Sequence, residues 1–295
     1  MRAIARHLLG LLIILCGMLP TMGQSKERLI WLVRDLPPFT IFEGTAKGQG
    51  VVDNLLPRLI AQMPEYDHSI VRVNRARGLQ MLQEPSFTCD PTLLWTPERA
   101  KFVRFSIPSL GVLSSGLVIR KQDQAALALF LDNQQVDLKS LLSQTPLKLG
   151  IVAERSYSVQ IDEILRELPD TALSRHYGNE ATANLLQMQR LGRLQLVLGY
   201  WPEIRYLIQA QGNNPDEYAF HPIQGVNRYQ FLHVGCSDTV LGREAVRHID
   251  QLLLTLRRET LPAFYARWLA PEEHEQYLID SQHFFGTQTE SAEKY

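Results

Sequence analysis

The chain has 295 residues, of which 45% are hydrophobic and 21% charged, an ordinary composition for a globular protein. Its formal net charge of −1 favours neither nucleic acid nor a membrane surface as a partner. The length predicts two domains or one large one.

Residues 1–23 have the pattern of a secretory signal peptide. Arg2 and Arg6 supply a positive start, and residues 8–19 form an apolar run that is too short for a stable membrane span. Thr21 and Gly23 are small residues at the positions that a signal peptidase requires for cleavage after Gly23. Cleavage removes two positive charges and takes the net charge from −1 to about −3. We therefore predict an exported protein.

Export divides the three cysteines into two groups. Cys16 lies inside the signal and hints at lipid attachment, but lipoprotein signals require a small residue where Leu15 stands. Cys89 and Cys236 remain in the exported chain. In an oxidising compartment such a pair favours one disulfide, with two buried free thiols as the alternative.

Strands and helices alternate from the start of the exported chain. Pro57 fits the first predicted helix if Asp53 or Asn54 caps it, because proline is tolerated in a first turn. The alternation indicates βαβ units and a mostly parallel sheet. The predicted strands are 29–33, 70–73 and a third from Phe87, and the helices are 51–63 and 76–82.

A second alternating unit follows, and the chain then returns to a strand and helices. From residue 286 onward the sequence is polar, and we expect residues 287–295 to form a flexible tail. The predicted strands are 116–119, 147–152, 194–198 and 231–236, and the helices are 136–142, 157–168, 181–191, one from Trp201, 245–256 and 264–269.

The most informative motif follows the third strand. Thr96, Pro97 and Glu98 have the pattern of a helix start, with a capping threonine, a tolerated proline and an acidic residue in the first turn. Arg99 then falls in the first turn of that short helix, where its guanidinium can point into a cleft and hold a carboxylate bidentately. A structural arginine on the surface is the alternative.

This segment resembles a family signature. Thr96 to Arg99, followed by Phe-Ser-Ile-Pro at 105–108, resembles the pattern T-x-x-R…F-S-x-P of the periplasmic solute-binding proteins of family 3, the polar amino-acid-binding type. The order of elements is similar over roughly residues 27–272. The resemblance implies an α/β fold of two lobes, the type II periplasmic binding protein, with a ligand cleft between the lobes and two crossing hinge strands.

The same resemblance implies the division of the chain. Lobe 1 would comprise residues 24–110 plus 231–286, and lobe 2 residues 111–230. Cys89 and Cys236 would then lie on neighbouring strands of lobe 1, close enough for a disulfide.

On lobe 1 the resemblance assigns Arg99 to the ligand's carboxylate. Thr92 matches one of the family's hydroxyl positions, whereas Leu94 replaces the other. Phe39 and Trp95 are the candidate aromatic walls of the cleft, with ordinary core packing as the alternative for each.

On lobe 2 the resemblance assigns Ser156 to the carboxylate, and Arg155 adds a second possible anion contact. Tyr200 stands where the family's ammonium-binding aspartate is expected, and a phenol does not neutralise a cation at neutral pH. Glu203 is close in sequence but lies on the following helix. We therefore expect an acidic or polar ligand that is not necessarily a free α-amino acid.

Three functions are compatible with these residues. The first is a monomeric periplasmic protein that captures a small ligand by hinge closure for an ABC permease or a membrane sensor, with no cofactor or metal. The second is an enzyme on the same scaffold, similar to cyclohexadienyl dehydratase, with Glu203 or Glu154 as the acid. The third is a degenerate binding module that acts as a signalling partner. The sequence contains no dinucleotide loop, nucleophile elbow, H-E-x-x-H or C-x-x-C motif.

Overall fold

The computed structural model describes residues 25–285, which form two five-stranded mixed sheets with helices packed on them. The predicted signal peptide, Cys16 and the predicted tail lie outside these residues. Within them, no helix is long and apolar enough to cross a membrane.

Strands and helices alternate along most of the chain. The first are β1 (Arg28–Val33), α1 (Val51–Gln62), β2 (Asp67–Arg72), α2 (Arg75–Gln83), β3 (Thr88–Leu94), a 3-10 turn (Arg99–Lys101), β4 (Val103–Leu113), β5 (Gly116–Arg120), a 3-10 segment (Lys121–Phe130), β6 (Leu131–Asp132), β7 (Gln135–Val136) and α3 (Leu138–Gln144). The remainder are β8 (Leu149–Val152), α4 (Val159–Glu167), β9 (Leu173–His176), α5 (Ala181–Arg190), β10 (Leu196–Gly199), α6 (Trp201–Ala210), β11 (Tyr218–Pro222), β12 (Tyr229–Ser237), α7 (Val240–Glu259), α8 (Leu261–Ala266) and α9 (Pro271–Ser281).

Both sheets combine parallel and antiparallel strands. The first has the order β2-β1-β3-β12-β4, in which β2, β1 and β3 run parallel and β12 runs antiparallel to both of its neighbours. The second has the order β11-β5-β10-β8-β9, in which β10, β8 and β9 run parallel. The predicted α/β class is confirmed. The prediction of a mostly parallel sheet was wrong, because each sheet has two parallel and two antiparallel strand pairs.

Helix α1 begins earlier than its predicted cap. The N-cap is Gly50, and the Asp53 carboxylate accepts the Gly50 N–H at 2.9 Å. A Cβ at Gly50 would lie 2.2 Å from the Phe39 carbonyl oxygen, so only glycine allows this close approach. The prediction that Asp53 or Asn54 caps the helix was wrong, and Pro57 therefore lies inside the helix rather than in its first turn.

Two chain crossings join the sheets. Strand β4 continues into β5 through residues 114–115, and the chain returns from β11 to β12 through residues 223–228. The Ser114 N–H donates to the Arg228 carbonyl at 2.9 Å, and the Ser114 hydroxyl donates to the Asn227 carbonyl at 2.6 Å. The two crossings therefore lie side by side. The predicted lobe boundaries at residues 110 and 230 stay a prediction.

The two cysteines of the exported chain meet in the first sheet. Cys89 on β3 lies directly opposite Cys236 on β12, and both side chains are buried in the apolar core. A disulfide joins them in the structure. It links strands that are 147 residues apart in sequence.

Loss of this disulfide should destabilise the protein. The long loop it closes restricts the unfolded chain, so we expect Cys89→Ala together with Cys236→Ala to lower the free energy of unfolding by about 2–5 kcal/mol. Urea unfolding followed by circular dichroism measures the change. The wild type with reductant should match the double variant, which reductant should leave unaffected. An unchanged unfolding midpoint in the double variant would contradict the stabilising role.

Candidate ligand-binding cleft

The loops that follow the parallel strands of both sheets face one cleft. A cavity of about 490 Å³ is lined on one side by α2 and the loop after β3, and on the other by the loops after β8 and β9. A second space of about 30 Å³ is lined by the loops after β1, β2 and β9 and by α6. Ligands in open α/β sheets bind outside the carboxyl ends of the strands, and this cleft has that position.

Arg99 is the first residue of a short 3-10 turn rather than part of a regular helix. The Thr96 hydroxyl accepts the Arg99 N–H at 3.2 Å, although the N-cap residue of the 3-10 turn is Glu98. The expected short helix is only the 3-10 turn Arg99–Lys101, because β4 begins at Val103 and leaves no room for a second turn.

The Arg99 guanidinium bridges the two sides of the cleft. It is buried, and it donates to the Leu94 carbonyl at 3.0 Å and across the cleft to the Glu154 carbonyl at 3.3 Å. No carboxylate of residues 25–285 forms an ion pair with it. Burial and the nearby Arg34 lower the pKa of Arg99 from its ordinary value. Arg99 thus keeps a desolvated positive charge beside the larger cavity.

Arg155 is buried in an ion pair. Its guanidinium donates to both carboxylate oxygens of Glu203, at 3.1 and 2.5 Å, and the Thr182 hydroxyl donates to the same carboxylate at 2.9 Å. Burial opposes the charged form, but Glu203 outweighs it and holds the pKa of Arg155 above its ordinary value. Arg155 also lines both spaces of the cleft.

Tyr200 and Phe39 form a layer beneath Arg155. The Arg155 guanidinium lies 4.7 Å from the centre of the Tyr200 ring, a cation–π contact. Tyr200 packs edge-on against Phe39, which stacks in turn on Tyr265 with ring centres 5.9 Å apart. Both Tyr200 and Phe39 are almost fully buried. They therefore support the cleft floor from the first-sheet core.

Thr92 is engaged by a second buried ion pair. Arg34 pairs with Asp90, and it also donates to the Thr92 carbonyl at 2.7 Å and to the Thr92 hydroxyl at 3.3 Å. Asp90 accepts the Thr92 N–H at 2.9 Å. The hydroxyl that the sequence assigned to a ligand is thus a neighbour of Arg34.

Ser156 lines the larger cavity, and Trp95 borders a different one. The Ser156 hydroxyl donates to Asp162, which also accepts the Tyr157 N–H at 2.9 Å. Burial raises the pKa of Asp162. Trp95 and Leu94 line a separate cavity of about 330 Å³ near the crossings. The structure thus brings Arg99, Arg155 and Ser156 together and leaves Trp95 apart.

Arg75 is a cleft residue that the sequence pattern did not single out. It is the first residue of α2, directly after β2, and it lines the smaller space with Arg34 and Arg155. Its Nε is shielded from solvent without a hydrogen-bond partner. Burial, together with Arg34, Arg155 and Arg99, holds the pKa of Arg75 well below its ordinary value. Its place at the end of a predicted parallel strand was the available signal.

The fold is shared with periplasmic binding proteins. A histidine-bound substrate-binding protein of an ABC uptake transporter from Streptococcus pneumoniae is similar at a TM-score of 0.62 and 13% identity, over 82% of this chain and 92% of that protein. A histidine kinase sensor domain with similarity to periplasmic binding proteins has a TM-score of 0.61 and 13% identity, over 83% and 97% of the two chains. An ancestral amino acid-binding protein, a precursor of cyclohexadienyl dehydratase, has a TM-score of 0.59 and 15% identity, over 84% and 97%. The predicted two-lobe α/β fold is therefore confirmed.

The evidence for this likeness comes from the comparison of structures. No family model matches the sequence, and neither does any curated protein. Within residues 25–285, no group of three or more histidines, cysteines and acids is arranged to hold a metal ion.

Removal of the Glu203 charge should destabilise the cleft wall. Glu203→Gln leaves Arg155 buried without a counter-charge, and we expect the free energy of unfolding to fall by about 3 kcal/mol or more. Urea unfolding provides the measurement. Glu167→Gln, which disrupts an exposed pair with Lys139, is the matched control and should change little.

The double variant Arg155→Met with Glu203→Leu separates charge from packing. It removes both charges while keeping apolar volume, and we expect it to recover most of the lost stability. Equal unfolding midpoints for Glu203→Gln and Glu167→Gln would contradict a buried pair.

Proposed function

We propose that this protein is a periplasmic solute-binding protein that captures a small carboxylate-bearing ligand between its lobes. The observation that carries the proposal is the environment of the Arg99 guanidinium, which is buried beside a cavity of about 490 Å³. Among the described residues, this guanidinium donates its hydrogen bonds to backbone carbonyls and not to a carboxylate. A ligand carboxylate would replace these neutral acceptors by a charged, bidentate one. Arg155 and Ser156, which line the same cavity from the opposite side, are the proposed partners of Arg99.

Thr92, Phe39, Tyr200 and Trp95 take less direct parts in this proposal. Thr92 fixes Arg34, and Phe39 and Tyr200 form the floor on which Arg155 rests. Trp95 lines the cavity beside the crossings, where it is placed to respond to closure. We propose these as supporting residues, with Arg99 as the principal ligand contact.

Capture would proceed by hinge closure. We propose that residues 24–110 plus 231–286 and residues 111–230 move as two lobes about the paired crossings at 114–115 and 223–228. The hydrogen bond from Arg99 to the Glu154 carbonyl spans the cleft. In the closed state Arg99 would therefore contact both the ligand and the opposite lobe.

The proposed setting is the periplasm, reached through the N-terminal signal, with the protein acting as a monomer. The similar Streptococcus pneumoniae protein serves an ABC uptake transporter, and the similar sensor domain belongs to a histidine kinase. An ABC permease or a membrane sensor is accordingly the proposed partner of the loaded protein.

An enzyme on this scaffold is a weaker candidate. The similar ancestral protein is a precursor of cyclohexadienyl dehydratase, so the scaffold is compatible with catalysis. In this chain, however, both carboxylate oxygens of Glu203 accept hydrogen bonds from Arg155, and one also accepts the Thr182 hydroxyl, so the carboxylate is already engaged within the protein. Glu154, the other proposed acid, is exposed at the cavity rim.

Arg99 should dominate ligand affinity. Native mass spectrometry of the purified protein, followed by calorimetry with a panel of small carboxylates, identifies a ligand. Arg99→Gln should then weaken its binding by about 30-fold or more, equivalent to about 2 kcal/mol, because a buried charged hydrogen bond is lost. Arg104→Gln, an exposed arginine on β4, is the control and should bind as the wild type does. Unchanged affinity in Arg99→Gln, or no bound carboxylate at all, would contradict the proposal.

A further inference from the structure

We infer that the ligand carries two separate anionic groups and no ammonium, with Arg99 holding one group and Arg75 the other, so that a small dicarboxylate is the class of molecule the cleft binds. This inference rests on the proposed function and names the ligand class of the same cleft. It depends on which of the four cleft arginines already form an ion pair with a carboxylate of the protein. These arginines are Arg34, Arg75, Arg99 and Arg155.

Two of the four arginines are neutralised within the protein. Arg34 is paired with Asp90, and Arg155 is paired with Glu203 through two hydrogen bonds. These carboxylates are also held by donors of the chain, Asp90 by the Thr92 N–H and Glu203 by the Thr182 hydroxyl. Each pair is neutral as a unit and adds no net charge to the cleft.

Arg75 and Arg99 have no such partner. In the part of the chain that the structure describes, neither forms an ion pair with a carboxylate. Arg75 also leaves its Nε buried without a hydrogen-bond partner, and three other guanidiniums lie within electrostatic reach of it. Arg99 is buried and Arg75 is half-buried. A cation withdrawn from water without a counter-charge is costly, and an anion entering the cleft would offset that cost. The cleft therefore presents two separate positive centres.

Among residues 25–285, the carboxylates inside the cleft already have partners within the protein. Asp162 is held by the Ser156 hydroxyl and the Tyr157 N–H, and Asp35 is paired with Arg72 at 3.5 Å. The face of Tyr200 is covered by the Arg155 guanidinium. The remaining acids that border the cavity, Glu98 and Glu154, are exposed to water. A ligand ammonium would thus meet like charge inside the cleft.

Three matched probes test the charge pattern of the ligand. Glutarate has two carboxylates, butyrate lacks one of them, and glutamate adds an ammonium to the same carbon chain. Calorimetry on the mature chain at pH 7.5 and low salt compares the affinities of these three compounds. Succinate and adipate vary the distance between the two carboxylates, and inorganic phosphate tests a dianion whose charge lies on a single group. We expect the best dicarboxylate to bind at least tenfold tighter than butyrate, glutamate or phosphate.

Three arginine variants test the assignment. Arg75→Gln should weaken dicarboxylate binding at least tenfold and change butyrate binding less than twofold, whereas Arg99→Gln should weaken both. Arg77→Gln is the matched control, because Arg77 lies on the same helix but is exposed and pairs with Glu84. Arg77→Gln should bind every probe as the wild type does.

The melting temperature of the ligand-free variants distinguishes a binding role from a structural one. Removal of an unpartnered cation should leave the melting temperature of Arg75→Gln equal to or above that of the wild type, whereas loss of a structural contact would lower it. If Arg75→Gln does not fold, Arg75→Lys keeps the charge and should retain the preference for dicarboxylates over butyrate.

The possible failures are distinguishable. Glutamate or butyrate binding as tightly as the best dicarboxylate, or a dicarboxylate bound equally well by Arg75→Gln, overturns the inference and leaves the proposed function intact. Tightest binding of phosphate overturns the claim of two separate groups. A wild-type protein that binds none of these probes and releases no small anion on denaturation overturns the proposed function, and the inference with it.

Discussion

Parallel strands place their carboxyl ends along one edge of a sheet, and the cleft depends on this constraint. Arg34, Arg75 and Arg99 follow the three parallel strands of the first sheet, and Arg155 follows a parallel strand of the second. Because the two edges face each other, guanidiniums from distant parts of the chain come within electrostatic reach. The backbone topology thus concentrates positive charge where a small anion can enter.

The ion pair of Arg155 and Glu203 orders the side of the cleft that the second sheet forms. It fixes the loop after β8 to α6, and it lays the Arg155 guanidinium over the ring of Tyr200. The resemblance noted in the sequence would place an ammonium-binding aspartate at position 200. Here Tyr200 stands at that position with the Arg155 guanidinium above its ring. A ligand ammonium at this place would therefore meet a guanidinium instead of a carboxylate. The departure from the family pattern and the excess of unpaired arginines therefore point to the same ligand chemistry.

Local pattern was sufficient for much of the fold and for part of the site. Helix α1 follows from apolar residues at helical spacing, and Arg99 follows from a strand that ends in a capped turn. Arg75 was not predicted, because an arginine at a helix start is most often solvated. Arg77, two residues later on the same helix, is in fact exposed and paired with Glu84. The packing of α2 on its sheet decides which of these two arginines faces the cleft, and single-sequence periodicity does not resolve that choice.

The sequence by itself determined the alternation of strands and helices, the candidate partnership of Cys89 and Cys236, and the arginine at residue 99. The tertiary structure decided which arginines keep an unpaired charge. Asp90 lies 56 residues from Arg34, and Glu203 lies 48 residues from Arg155, yet each neutralises its partner inside the cleft. Ion pairing depends on distance through space, which the order of residues along the chain does not specify, and the ligand charge that the cleft favours is therefore a property of the folded molecule.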